Sequence, residues 1–93
     1  MSDQRPRLLL VEDDPQLGPM MARVLDEVYD VSLVPDGGEA LTTAQEQSYD
    51  VLIIDRRLPG MDGVSLVEAL RRSGRSTPTL ILTALGTVQD KVR

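Results

Sequence analysis

Three short stretches of the chain are apolar without a polar break: "LLLV" (Leu8–Val11), "VLII" (Val51–Ile54) and "TLIL" (Thr79–Leu82, with Thr79 at its head). A strand that reads as a continuous β-branched or leucine-rich run is buried on both faces, as the strands of a helix-covered parallel sheet are. The sequence predicts strands over Arg7–Glu12, Val31–Val34, Tyr49–Asp55 and Pro78–Thr83, with helical patterns between them. Strands alternating with helices imply an α/β domain with a parallel sheet and helices on both faces.

The intervening segments read as helices by period and by punctuation. Leu17, Met20, Met21, Val24, Leu25 and Val28 recur at helical spacing and form one apolar face, with Met20 and Met21 assigned to the core. Pro15 suits the first helical position and Asp14 the N-cap before it. "PDGGEA" is a turn into a short helix carrying Ala40, Leu41 and Ala44. "LPGMDG" (Leu58–Gly63) is a loop by its glycine and proline content. The helix after it faces Val64, Leu66, Val67 and Leu70 inward and ends around "SGRS", and "ALGTVQDKVR" begins another helix.

At 93 residues the chain makes one small domain. It contains no cysteine and no histidine, so disulfides, thiolate sites and an imidazole base are excluded. Any chemistry rests on carboxylates, hydroxyls, Lys, Arg and a hard metal. A net charge of −5 and two aromatic residues, Tyr29 and Tyr49, argue against nucleic-acid binding by this segment. No apolar run approaches the roughly 20 residues of a membrane span, and "MSDQRPR" lacks a signal-peptide core, so the expectation is a cytoplasmic protein with no membrane contact.

Ligands of open parallel sheets bind at the carboxyl ends of the strands. Those ends carry Glu12 and Asp13, then Asp55, then Thr83. Adjacent strands lie about 4.8 Å apart, so these groups can share one site. Three converging carboxylates repel, and a hard divalent ion with oxygen ligands, such as Mg²⁺, offsets that. The same arrangement suits an aspartate that accepts a phosphoryl group, because positioning and electrostatics carry that chemistry without histidine. Asp55 is the best nucleophile, following the most buried strand and preceding an open Gly/Pro loop. The Thr83 hydroxyl could hydrogen-bond a phosphoryl oxygen, with the small Ala84 leaving access.

"LLLVEDDP", "DVLIIDRRLPGMDG" and "PTLILTA", in this order and spacing, resemble the receiver domains of two-component response regulators over essentially the whole chain. The resemblance implies a flavodoxin-like, doubly wound parallel sheet with strand order 2-1-3-4, the fifth strand and last helix missing. It implies that Asp55 is the phosphoacceptor, that Asp13 ligates Mg²⁺ directly and Glu12 through water, and that Arg57 gives the metal its backbone carbonyl. Thr83 becomes the switch hydroxyl, and a sensor histidine kinase the donor. By the same resemblance the chain is a self-phosphorylating switch rather than a classical enzyme. Its full-length form, similar to regulators with a winged-helix DNA-binding domain, controls transcription.

The chain departs from the family pattern at its end. The family's fifth strand carries a lysine that contacts the phosphoryl group; Lys91 falls too early for that role. Residues 1–93 read as one receiver domain incomplete at its C-terminus. An open edge at "TLIL" and an uncovered sheet face would then favour a homodimer or strand-exchanged oligomer. Three other readings stand beside this one: a module that keeps the fold without phosphorylation; a Mg²⁺-dependent hydrolase working through an aspartyl-phosphate, which the Arg57 position disfavours; and a nucleotide binder, which the acidic first turn disfavours.

Overall fold

The structure is a computed structural model that describes residues 5–82 and the backbone of 88–89. Four strands, β1 (Arg7–Val11), β2 (Asp30–Val34), β3 (Val51–Asp55) and β4 (Thr79–Leu82), form a parallel sheet in the order β2-β1-β3-β4. Helices α1 (Leu17–Leu25), α2 (Gly37–Glu46) and α3 (Gly63–Arg72) connect them. Leu9 sits at the centre of the sheet, opposite Ser32 on one side and Leu52 on the other. Glu12 prolongs β1 by one bond, its N–H donating to the Val34 carbonyl at 3.1 Å.

Alternation along the strands divides the side chains between two faces. Leu9, Val11, Val34, Leu52, Ile54 and Ile81 form one buried cluster with Ala40 and Ala44 of α2 and Leu66, Val67 and Leu70 of α3. This is the main core. On the opposite face Leu8 and Leu10 are fully buried, and α1 packs against β1 and β2. Small residues at the contact let helix and sheet approach: a β-carbon on Gly18 would already touch the Leu33 side chain and the Glu12 carbonyl at 3.4 Å each.

α1 reaches only the first half of its face. Val51, Ile53, Leu80 and Leu82, on the other half, are half-buried. The apolar stripe of α1 is correspondingly open: Met20 is 53% exposed and Val24 66%, so Met20 is not a core residue, contrary to its helical spacing. Periodicity identifies a face but not how much of it a neighbour covers. Val64, expected inward, is also exposed, because it stands in the first turn of α3 beyond the cluster that Leu66, Val67 and Leu70 join.

The helix expected from Ala84 onward is not what the described part of that segment forms. Val88–Gln89 is a short strand, β5, antiparallel to β4 with Ile81 opposite Gln89 and Leu82 opposite Val88. The outer edge of β4 offers unpaired N–H and C=O groups, and a returning segment satisfies them where a helix could not. The edge anticipated as open is therefore occupied at Ile81 and Leu82. No helix among the described residues is long and apolar enough to cross a membrane.

Candidate metal and phosphoacceptor site

β1 and β3 are neighbours in the sheet and run the same way, so their last residues emerge side by side. Glu12 and Asp13 leave β1, and Asp55 closes β3. One carboxylate oxygen from each of the three lies within 4.8 Å of the others. Glu12 is buried, Asp55 half-buried and Asp13 exposed, so the cluster opens to solvent on one side. Among the described residues no arginine forms an ion pair with any of the three.

The electrostatic cost of the cluster is visible at Glu12. Burial first, then a hydrogen bond to Asp55 and the charges of Asp55 and Asp13, push its carboxyl up to about 7, against the Asp14 N–H that favours the ionised form. That N–H donates to Glu12 Oε2 at 3.1 Å. A buried carboxyl raised by burial and by its acidic neighbours is what an oxygen-ligating cation would relieve. The donor set, all hard oxygen with an open flank, fits Mg²⁺.

Asp14 belongs to the helix and not to the cluster. Its Oδ1 accepts from the N–H groups of Gln16 and Leu17, each at 2.8 Å, and its carbonyl accepts from Gly18. Those donors hold the Asp14 carboxyl below the usual range. The helix proper begins two residues later than Pro15 suggests, yet Asp14 makes the capping bonds expected of it.

The loop after Asp55 is tied at both ends. At its base the Arg57 N–H donates to Asp55 Oδ1 at 3.1 Å, and Gly63 N–H donates to the Arg56 carbonyl at 2.8 Å. Gly63 takes no side chain here without a backbone shift: a β-carbon would stand 2.8 Å from the Asp55 carbonyl and 3.0 Å from Arg56 Cα. Asp62 caps α3 through the Ser65 N–H, which holds its carboxyl below the usual range. At its tip the loop meets the start of α2. Gly37 N–H donates to the Pro59 carbonyl at 3.2 Å, and Gly60, at φ +83°, lies against the Asp36 carboxylate. Asp36 in turn caps α2 through the Glu39 N–H at 2.8 Å.

Of the residues singled out from the sequence, Glu12, Asp13 and Asp55 are thus brought together, and Arg57 stands beside them with its side chain in solvent. Thr83 and Lys91 lie outside the described residues. The contact of Asp36 and Gly37 with the loop was not anticipated. "PDGG" and "LPGMDG" each announce a turn, but nothing local says that the two turns touch.

A parallel sheet of this order with acidic strand ends is the arrangement expected of a receiver domain, and comparison with known proteins agrees. Residues 8–93 match the response regulator receiver domain, and the chain belongs to that family. It is 41% identical over 88 residues to the transcriptional activator protein PfeR of Pseudomonas aeruginosa, covering 94% of this chain and 28% of PfeR. It is 45% identical over 87 residues to the two-component response regulator PhoP of the same organism, covering 92% of this chain and 39% of PhoP. The chain therefore spans well under half the length of these relatives. Among solved structures, the receiver domain of the Francisella response regulator 1452 superimposes with a TM-score of 0.84 at 34% identity, over 89% of this chain and 69% of that one. The receiver domain of the sensor histidine kinase PA1611 from Pseudomonas aeruginosa gives a TM-score of 0.81 at 38% identity, over 86% of this chain and 68% of that one. It carries a magnesium ion coordinated in its active-site cleft.

Proposed function

We propose that this receiver domain is a phosphorylation-controlled switch whose acceptor is Asp55. The observation that carries the reading is the convergence of the Glu12, Asp13 and Asp55 carboxylates at the ends of β1 and β3. A carboxylate oxygen of Asp55 attacks the phosphorus of a phosphohistidine on a sensor histidine kinase. The new O–P bond forms as the P–N bond breaks, and the imidazole leaves with the electron pair. Glu12, Asp13, Asp55 and the Arg57 carbonyl would hold Mg²⁺, which when bound neutralises charge on the phosphoryl oxygens. The Arg57 N–H holds one Asp55 oxygen and so orients the carboxylate. Thr83 is the hydroxyl that follows the phosphoryl group. The acquired charge biases the surface beyond β4, through which the full-length protein, like its transcription-regulating relatives, controls transcription.

Incubation of the purified chain with Mg²⁺ and a small acyl-phosphate, followed by intact mass measurement, tests this. A gain of one phosphoryl group that requires Mg²⁺ and is absent from Asp55→Asn supports it. No gain by a folded chain counts for the non-phosphorylated module instead.

The open stripe of α1 and the half-covered strands beside it favour a second property, self-association of this segment. The occupied β4 edge makes face-to-face contact a better route than strand exchange at Ile81 and Leu82.

A further inference from the structure

We propose that Gly37, at the start of α2, is a positioning residue for the metal-side loop, an inference that rests on the assignment of Mg²⁺ to Glu12, Asp13, Asp55 and the Arg57 carbonyl. Gly37 does not need glycine for its own backbone. Among the described residues only Gly60 and Gly74 have positive φ. It needs glycine for its neighbour: a β-carbon there would stand 2.3 Å from the Met61 carbonyl oxygen and 2.9 Å from Met61 Cβ. The obstacle is mostly backbone, so a rotamer change cannot relieve it, and roughly 1 Å of displacement is needed to restore a contact of ordinary length.

That displacement has few places to go. The base of the loop is closed by the Gly63–Arg56 hydrogen bond and by the missing side chain of Gly63. The tip is held by the Gly37–Pro59 hydrogen bond and by Gly60 against Asp36. Arg57 lies between base and tip. Pushing Met61 away from α2 therefore moves the segment that carries the Arg57 carbonyl and the N–H that orients Asp55. Mg²⁺ tolerates little error in ligand distance and geometry. The first turn of α2, which contributes no ligand, thus sets where one ligand stands.

Gly38 supplies the internal control. It occupies the same helical turn, but a β-carbon on it would meet only the Asp36 carboxylate, at 3.2 Å. Gly37→Ala and Gly38→Ala bring a similar gain in helix propensity, but only the first meets the backbone of the loop; the second meets the movable end of the Asp36 side chain, which can give way by a few tenths of an ångström. Mg²⁺ titration of the folded chain, read calorimetrically and by the amide signals of Arg57 and Gly63, compares wild type, Gly37→Ala, Gly38→Ala and Asp13→Asn. The expected result is Mg²⁺ affinity weakened about tenfold by Gly37→Ala, the lower end of what loss of a supporting contact costs, and within about twofold of wild type for Gly38→Ala. A Gly37→Ala chain that is merely less stable, with the Mg²⁺ affinity of its folded form equal to that of Gly38→Ala, overturns the proposal and leaves the metal assignment standing. Wild-type chain that binds no Mg²⁺, or binds it as well with Asp13→Asn, overturns both. If Gly37→Ala is largely unfolded in plain buffer, all four chains are titrated in a stabilising osmolyte, which gives the same comparison on the folded fraction.

Discussion

Asp14 donates its backbone N–H to the side chain of Glu12, and with its own carboxylate it caps the helix that follows. One residue thus stabilises the charge of a buried acid on one side and the start of α1 on the other. The third acidic residue of the "EDD" run is in this way separated from the two that face the site.

The elevated Glu12 carboxyl makes stability depend on pH in a definite sense. Its value in the folded state is about 7 against 4.5 as a free group, so the folded chain binds more protons than the unfolded chain between these limits. Stability from this group is fully present below the lower value and is lost as pH rises through about 7. In Mg²⁺-free buffer the urea midpoint is expected to fall between pH 6 and pH 8 (about one unit either side of that value), and Glu12→Gln is expected to flatten the decline. A wild-type midpoint that rises over this interval would contradict the assignment.

Gly63→Ala is expected to destabilise the chain by about 1–3 kcal/mol, the usual cost of forcing an extra group into a packed site. The clash is with the backbone of Asp55 and Arg56, so the displacement reaches the acceptor itself. Chemical denaturation checks the stability. Slower uptake of phosphoryl groups by the residual folded fraction would show that the acceptor has moved.

Leu66→Ala removes a fully buried side chain from the cluster between α3 and the sheet. Its cost is expected at about 2–5 kcal/mol, enough to unfold much of so small a domain at room temperature. Circular dichroism with and without a stabilising osmolyte distinguishes loss of fold from loss of function.

Val24→Lys should change association without changing the fold. Val24 is 66% exposed on α1, and a surface substitution of this kind stays within about 0.5 kcal/mol. Sedimentation over a concentration series is expected to show self-association in the wild type and its reduction in the variant. A monodisperse wild-type monomer would remove the case for contact through this face.

The strands and the acidic residues at their ends were legible because each is written locally. "LLLV" and "VLIID" read as buried strands by their shortness and by the turn residues that follow them, and parallel order puts their acidic ends at one edge. Asp14 was legible as a cap from its place before Pro15. Met20, Val64 and the segment around Val88 were not. Helical spacing marks Met20 as apolar-facing but does not say that α1 covers only β1 and β2. "TVQD" carries no local cue that an unpaired strand edge stands ready to claim Val88 and Gln89. The seat of the loop on α2 was illegible for the same reason, since it is a contact between two turns far apart in the chain.

The partnership of β1 with β3 skips over β2, which lies on the other side of β1. Glu12 and Asp13 are therefore distant from Asp55 along the chain and adjacent only after the sheet closes. The unfolded chain has neither the cluster nor its mutual repulsion. A cation taken up by the trio would bind the folded form alone, and its concentration would then act on the folding equilibrium directly, contributing about 2.7 kcal/mol at a hundred times its dissociation constant. For a domain this small, the ionic composition of its surroundings would shift how much of the chain is folded.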